Sequence, residues 1–294
     1  MGKSWWEWRM SVFENKVAFI TGGASGIGRA LGYALARHGA RVVLTDVNVA
    51  GLEAACETIA AGGGRGRWLA LDVTDYGAFE QAVDDVYAEE GPIDYLFNNA
   101  GIALFGEVHA MTPDQWHRIL AVNLHGVVHG VRAVYPRMVA QGRGHVINTA
   151  SMVGLVPSAG ATAYAMTKHA VVGLSESLRG EGVAHGVQVS AVCPGIIDTD
   201  LKNTVELLHL DREKMLSHPL ARLTPVDRCA RVILRGVRRN RSVITVTAHA
   251  KLVWWLYRLM PGFVASRLGH WALRISLRRF AVSAEGGGEP QAED

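Results

Sequence analysis

The stretch TGGASGIG at residues 21–28 decides the fold. It joins an apolar, β-branched run at Val17–Thr21 to a helical pattern over Gly26–His38. Glycines at a strand–turn–helix junction permit a tight turn and let the backbone approach a pyrophosphate closely. The first amides of the helix then offer a partial positive charge to the phosphates. The stretch therefore predicts a dinucleotide-binding unit, with phosphate contacts from Gly22, Ser25, Gly26, Ile27 and Gly28.

Strand-like and helical patterns alternate along the rest of the chain. Long helical patterns cover Asp114–Gln141 and Thr162–His185. Such alternation indicates a parallel sheet with helices on both faces, so we expect an α/β, doubly wound Rossmann domain over residues 16–249. Further strands are predicted at Arg41–Asp46, Trp68–Asp72, Ile93–Asn98, His145–Ala150, Gln188–Cys193 and Ser242–Val246.

Composition places the chain among ordinary globular proteins. It has 294 residues, of which 49% are hydrophobic, enough for a substantial core. Its three cysteines, Cys56, Cys193 and Cys229, are far apart and form no CxxC pair. This spacing argues against a disulfide framework or a thiolate metal site, and no signal-peptide run is present at the N-terminus. We therefore expect a cytoplasmic protein.

Two terminal segments are expected to lie outside the catalytic domain. Residues 1–15 form an extension, in which Trp5, Trp6 and Trp8 either touch a membrane surface or, as we favour, pack on the body. Residues 281–294, with three consecutive glycines and four acids, are predicted to be a disordered tail.

Asp46 ends the second predicted strand, 18 residues beyond Gly28. A carboxylate at this place accepts hydrogen bonds from the adenosine ribose hydroxyls and repels a 2′-phosphate. Val47 and Ser25 supply no cation that would neutralise such a phosphate. The position therefore favours NAD over NADP. The alternative is that Asp46 merely caps the following helix.

Tyr164 and Lys168 stand at positions i and i+4 of the predicted helix Thr162–His185, so their side chains share one face. Tyrosine has an ordinary pKa of about 10, and a nearby ammonium favours the phenolate, which makes it a better base. Ser151 ends the preceding strand, where its hydroxyl can bond a substrate oxygen. The pattern predicts proton transfer during alcohol–carbonyl interconversion. The alternative for an isolated YxxxK is a solvated helix face.

These motifs together resemble the short-chain dehydrogenase/reductase family. The resemblance rests on TGGASGIG, on NNAG at Asn98–Gly101, and on Ser151 followed by YAMTK at Tyr164–Lys168, and it covers roughly Lys16–Val246. It implies a seven-stranded Rossmann sheet, a nicotinamide cofactor, and an enzyme of the alcohol dehydrogenase or carbonyl reductase type. A homodimer or homotetramer is expected.

The resemblance also implies residue roles. Tyr164 would be the acid/base, Lys168 would also hold the nicotinamide ribose, Ser151 would orient the substrate, and Asn123 would hold a water in a proton relay. The remaining residues implied to contact the cofactor are Asp72 and Val73 at the adenine, Asn99, Ala100 and Gly101 beside the dinucleotide, and Pro194, Gly195, Ile197 and Thr199 at the nicotinamide.

Apolar residues dominate the segments expected to line the substrate pocket. Leu201–Leu220 follows the nicotinamide motif, where this fold places its substrate lid, and it is rich in Leu, Val and Met. Apolar residues also follow Ser151 and Gly101. Because apolar walls with few polar anchors suit apolar ligands, we expect a lipophilic alcohol or ketone as the partner.

The C-terminal region is strongly basic. Arg222–Arg279 contains 13 Lys or Arg residues and one acid, Asp227. Within it, residues 250–280 predict two amphipathic helices around Pro261-Gly262, with Trp and Leu opposite Arg. This pattern is typical of helices that lie on a membrane surface, although covering the pocket or a second subunit is an equal alternative. Nucleic-acid binding is disfavoured because apolar side chains interrupt the basic ones.

Two further alternatives concern metals and catalysis. His117, His125 and His129 have helical spacing that could bind a metal, but no zinc-protease glutamate accompanies them. A subunit interface is the favoured explanation, and no metal is expected. A catalytically idle NAD-binding sensor or scaffold is the alternative function, and its expected mark would be a broken tetrad.

Overall fold

A computed structural model describes residues 11–199, 205–216 and 223–263. The predicted tail, the second C-terminal helix and Trp5, Trp6 and Trp8 lie outside these residues, as does part of the predicted lid. The main sheet of the described residues has seven strands: β1 Val17–Thr21, β2 Arg41–Asp46, β3 Arg65–Ala70, β4 Ile93–Asn98, β5 Gly144–Thr149, β6 Val187–Cys193 and β7 Val243–Thr245.

The strand order is β7-β6-β5-β4-β1-β2-β3, and every neighbouring pair is parallel. The order reverses between β1 and β4, and at such a point the loops beyond the strand ends diverge and leave a crevice. The predicted α/β, doubly wound Rossmann fold is therefore confirmed, and the candidate site is expected at the carboxyl ends of these strands.

Helices cover both faces of this sheet. The buried clusters place α1, α2 and α7 on one face and α3, α5 and α6 on the other, and α8 packs beside α6. The helices are α1 Gly26–Arg37, α2 Val49–Ala61, α3 Tyr76–Glu89, α4 Pro113–Leu120, α5 Gly126–Gln141, α6 Thr162–Val183, α7 Val226–Arg238 and α8 Ala248–Leu259.

Two predicted elements differ from the structure by more than two residues at an end or by an internal break. The third strand begins at Arg65 rather than Trp68, because β3 is an edge strand that pairs only with β2 and tolerates exposed polar residues. The long helix predicted over Asp114–Gln141 is divided into α4, a π-helical turn at Ala121–His125, and α5. Wide turns of this kind often occur at functional sites.

The predicted domain boundaries also shift. Phe13 is fully buried and packs against the Tyr95 ring at 5.2 Å, so the described part of the predicted extension belongs to the body. At the other end, Thr247 caps α8 by accepting from the Ala250 amide, so the helix starts at Ala248, two residues before the predicted boundary. Both boundaries are fixed by contacts rather than by composition.

Candidate active site

The glycine-rich turn is built so tightly that side chains are excluded from it. Gly22 has a φ of 67°, and a Cβ atom there would lie 2.9 Å from the Ala100 Cα. A Cβ atom on Gly28 would overlap the Gly22 carbonyl oxygen. Ser25 precedes α1, and its hydroxyl caps no amide of that helix in the described structure. The free amides and the bare backbone fit a pyrophosphate group.

Gly28→Ala should therefore disrupt dinucleotide binding. The added methyl group must push the turn open, a distortion that costs on the order of 1–3 kcal/mol. The matched control is Gly180→Ala, because a Cβ atom there meets nothing within 4 Å and alanine favours a helix. Titration with NADH fluorescence should show weakened binding for Gly28→Ala and unchanged binding for Gly180→Ala. Equal affinities would contradict the assigned phosphate site.

Asp46 stands beside this turn, half-buried at the carboxyl end of β2. Its carboxylate accepts the Ala24 amide at 3.2 Å and the Asn48 amide at 3.1 Å. The N-cap of α2 is Asn48, which accepts from the Gly51 amide. The helix-cap alternative for Asp46 is therefore wrong, and its carboxylate is held next to the glycine-rich turn.

Asn99 and Thr21 join the NNAG segment to the same turn. The Asn99 side-chain amide donates to the carbonyls of Thr21 and Gly22, at 3.1 and 3.3 Å. The buried Thr21 hydroxyl in turn accepts the main-chain amides of Asn99 and Ala100. Thr21 was missed as a positioning residue, because a threonine that ends a strand is ordinary β-strand composition.

The two residues implied at the adenine differ in exposure. Asp72 is exposed and accepts hydrogen bonds from the amide and hydroxyl of Thr74. Val73 is buried, and its carbonyl lies 2.9 Å from His129 Nδ1. The His129 ring also packs on Tyr76, so this histidine is already engaged in structure. Among the described residues, no group of three or more His, Cys, Asp or Glu could hold a metal ion.

Ser151, Tyr164 and Lys168 lie together where β5 ends. Ser151 is in extended conformation, its hydroxyl accepts from the Val153 amide, and its side chain acts to lower the pKa of Tyr164. The Lys168 amino group lies 5.7 Å from the centre of the Tyr164 ring. Gly154 allows the turn after Ser151 to pack on the Lys168 backbone, because a Cβ atom there would meet the Lys168 carbonyl oxygen. The predicted face of α6 thus points at the serine.

Burial controls the protonation of this group. Burial raises the pKa of Tyr164 above its usual 10, and the hydrogen bond with Ser151 only partly opposes the effect. Burial also lowers the pKa of Lys168 to about 8, and its amino group donates to the Thr149 carbonyl at 2.9 Å. The expectation of a lowered tyrosine pKa is thus not met in the ligand-free protein, since desolvation outweighs the nearby amine.

Asn123 lies in the π-helical turn and is fully buried. Its side chain accepts the Ile102 amide at 2.8 Å and donates to the Ile102 carbonyl at 2.9 Å. Asn123 therefore fixes the loop that follows NNAG, and a Cβ atom on Gly101 of that loop would lie 3.3 Å from the Lys168 amino nitrogen. The role of Asn123 in holding a water stays a prediction.

The segment implied to hold the nicotinamide runs opposite the start of α1. The Pro194 carbonyl accepts the Met152 amide at 2.7 Å, which ties this segment to the turn after Ser151. A Cβ atom on Gly195 would lie 2.5 Å from the Thr247 hydroxyl, and one on Gly26 would lie 3.3 Å from the Thr199 Cβ. Ile197, which belongs to this segment, is buried. The two predicted cofactor segments therefore face each other.

A small strand pair closes the site on the substrate side. Leu104–Phe105 pairs in parallel with Glu206–Leu207. Glu206 also forms an ion pair with Arg118 and accepts a hydrogen bond from Gln115, both on α4. No local pattern indicated this clasp, because its partners are about 90 residues apart in sequence. It holds the beginning of the predicted lid against the loop after NNAG.

Comparison with known proteins decides the family. The model of the short chain dehydrogenase family matches residues 16–207. The chain belongs to the short-chain dehydrogenase/reductase family. This membership confirms the resemblance carried by the three motifs.

Curated relatives of this short-chain dehydrogenase/reductase include proteins of Mycobacterium tuberculosis and Thermotoga maritima. The oxidoreductase SadH of Mycobacterium tuberculosis is 36% identical, with 85% of this chain and 93% of SadH covered. The 3-oxoacyl-[acyl-carrier-protein] reductase FabG of Thermotoga maritima is 35% identical, with 79% and 94% covered. The oxidoreductase EphD of M. tuberculosis is 35% identical over 85% of this chain, but the chain spans only 44% of EphD.

Solved structures of the family superpose well on this chain. A short-chain dehydrogenase/reductase from Burkholderia phymatum, in complex with NAD, has a TM-score of 0.74 at 26% identity, with 93% of this chain and 99% of that chain covered. A metagenomic short-chain oxidoreductase in complex with NADP has a TM-score of 0.61 at 39% identity, with 63% and 85% covered. Family members thus include complexes with either nicotinamide dinucleotide.

Proposed function

We propose that this short-chain dehydrogenase/reductase interconverts an alcohol and a ketone or aldehyde on a lipophilic substrate, with NAD(H) as cofactor. The observation that carries the proposal is the apolar surface around the catalytic tyrosine. Tyr164 packs with Ile102, Trp116 and Leu208, which are all only partly buried, over a core of Leu104 and Ile119. The Phe105 ring also meets the Tyr164 ring edge to face at 5.8 Å. Such walls favour an apolar substrate.

The chemistry follows from the three polar side chains within this surface. A bound nicotinamide ring supplies or accepts the hydride. In the reductive direction, the Ser151 hydroxyl donates to the substrate carbonyl oxygen, and Tyr164 passes its phenolic proton to that oxygen as it becomes a hydroxyl. In the oxidative direction Tyr164 takes the proton back. Lys168, when protonated, stabilises the phenolate that reduction leaves behind.

The raised pKa of Tyr164 supports the first half of this cycle. A phenol with a pKa above 10 is fully protonated near neutral pH, so Tyr164 is in the acid form that reduction requires. A bound dinucleotide would exclude water from the same place, and the Lys168 ammonium would then act on the phenolate through a medium of low dielectric constant. Burial thus has two effects. It raises the pKa of Tyr164 before the reaction, and it would strengthen the stabilisation of the Tyr164 phenolate by the Lys168 ammonium.

A screen of alcohols and ketones of increasing apolar chain length tests the proposal, with nicotinamide absorbance as the readout. We expect kcat/KM to rise with chain length. One arm uses 3-oxoacyl thioesters, because FabG reductases are among the relatives. Dinucleotide binding without turnover on any carbonyl or alcohol would instead support the idle-sensor alternative. A preference for short, charged substrates would contradict the lipophilic class.

Asp46 should set the cofactor preference. A carboxylate beside the glycine-rich turn accepts from ribose hydroxyls and repels a 2′-phosphate, so we expect wild type to have the higher kcat/KM with NAD(H). Asp46→Ala should narrow that preference by about ten-fold or more, because the hydrogen bonds to the ribose and the repulsion of the 2′-phosphate are lost together. Asp85→Ala, on the distant helix α3, is the control and should leave the ratio unchanged. A wild-type preference for NADP(H) would contradict this assignment.

A further inference from the structure

The outward face of α8 carries an apolar stripe that no part of the sheet requires. Leu252, Trp255 and Leu259 are 58–59% exposed, and Met260 and Phe263 are about half exposed. The spacing of three and four residues places Leu252, Trp255 and Leu259 on one side of the helix. Large apolar side chains gathered in this way typically mark a surface that binds a partner. We name Leu252, Trp255, Leu259, Met260 and Phe263 the docking face.

The opposite side of α8 accounts for how the helix is held. Val253, Trp254 and Tyr257 pack on the buried cluster that includes Leu155 and Val156, in the segment after Ser151. The helix is therefore apolar on both sides, and among the described residues the fold uses only one of them. The inward contacts place α8 beside the segment that follows Ser151, and the docking face points away from that segment.

Positive charge accompanies the docking face. Lys251 is exposed on α8, and Arg258 extends over the Trp254 ring at 5.3 Å. No acidic residue occurs in residues 228–263. An apolar stripe flanked by cations, without acids, is complementary to a partner that has an apolar interior and a negatively charged surface.

A second set of cations lies on α7, the other helix that contacts the edge strand β7. Arg228, Arg231, Arg235 and Arg239 are exposed at spacings of three and four residues, so they form one ridge. None of the four forms a salt bridge with another described residue. This ridge belongs to the face of the sheet that carries α1 and α2, whereas α8 packs beside α6, so it is separate from the docking face.

We propose that the docking face of α8 binds the surface of an anionic lipid bilayer, with Lys251 and Arg258 of the same helix as the electrostatic component. Tryptophan and leucine enter the headgroup boundary, while arginine and lysine stay at the lipid phosphates. A nucleic acid would leave the apolar stripe exposed, and a second copy packed face to face would bring like charges together. No helix among the described residues is long and apolar enough to cross the bilayer.

Vesicle sedimentation of the full chain tests the proposal without any measurement of turnover, so it is independent of the proposed function. The probes are vesicles of phosphatidylcholine alone and of phosphatidylcholine with phosphatidylglycerol. We expect tight binding only to the anionic vesicles, weakened but not removed by high salt. Retention in the supernatant with both kinds of vesicle would overturn the proposal.

Matched variants separate the apolar and the charged components. Trp255→Ser should weaken binding about ten-fold or more through lost apolar burial, and Lys251→Gln about five-fold through one lost cation. The controls are Val183→Ser, a 79% exposed apolar residue at the end of α6, and Arg132→Gln, an exposed cation on α5. Both controls should bind as wild type does.

Two results would contradict the assignment to lipid. Unchanged vesicle binding by Trp255→Ser would show that the docking face is not the contact. If wild type fails to sediment and Trp255→Ser lowers the oligomeric mass in light scattering, the face is a contact between two copies. Circular dichroism and thermal unfolding of every variant verify the fold, because Trp255 and Lys251 are exposed and their loss should leave stability unchanged.

Discussion

Tyr164→Phe should abolish turnover and leave dinucleotide binding intact. The substitution removes the hydroxyl that transfers the proton but keeps the ring that packs against Phe105. Loss of a general acid/base lowers the rate by a factor on the order of 10²–10⁴. Steady-state kinetics on the best substrate of the screen, with NADH titration of the same sample, measures both quantities.

Tyr135→Phe is the matched control for this experiment. The Tyr135 hydroxyl is buried and has no hydrogen-bond partner among the described residues. Removing it should leave turnover unchanged and should not destabilise the fold, because an unpaired buried hydroxyl costs about 1–3 kcal/mol. Near-normal turnover of Tyr164→Phe beside a normal Tyr135→Phe would refute the assigned mechanism.

Lys168→Met should lose turnover and gain stability near neutral pH. Lys168 is 3% exposed, and burial lowers the pKa of its amine from 10.5 to about 8. Below pH 8 the folded protein therefore carries a buried charge that destabilises it, by up to about 3 kcal/mol. Methionine has a similar shape and no charge, so the variant avoids this cost, although it loses the hydrogen bond to Thr149.

The lowered pKa of Lys168 also predicts how the free energy of unfolding changes with pH. Between pH 8 and 10.5 the unfolded chain binds more protons at Lys168 than the folded protein does, so wild type gains free energy of unfolding as the pH rises. Lys168→Met lacks this gain. Denaturant unfolding of both proteins at pH 7 and near pH 10 should show the difference between their free energies of unfolding shrinking. Ionisable groups that do not interact with Lys168 cancel in that difference, and Cys193, whose pKa burial raises to about 12, stays protonated in the folded protein at both pH values. Parallel pH profiles would contradict a buried amine of lowered pKa.

Most of the sheet could be predicted from local patterns. β1, β2 and β4 have the predicted bounds, because buried parallel strands are continuous apolar runs that end at a turn. The bounds of β3 were wrong by three residues at its start, where the edge position admits Arg65 and Arg67. The break between α4 and α5 had no local cause in helix propensity, since Ala121–His125 contains neither glycine nor proline.

Part of the candidate site could likewise be predicted from local patterns, and part could not. The spacing of Tyr164 and Lys168 on one helix face, and the position of Ser151 after a strand, follow from the helical repeat and the strand end. Other contacts of the site join residues that are 78–91 positions apart in the sequence. They are the contacts of Glu206 with Arg118 and Gln115, and the hydrogen bond between Thr21 and Asn99. Such pairs are set by which loops meet at the carboxyl edge of the sheet.

The sequence by itself therefore determined the family and the fold, and it predicted the groups that transfer the proton, because motif spacing and periodicity are local properties of the chain. The tertiary structure alone decided that Asp46 faces the glycine-rich turn instead of capping α2. It also decided that the pKa of Tyr164 rises while that of Lys168 falls. Both outcomes depend on burial and on partners brought together by folding, and the free energy of an ionised group is set by that environment.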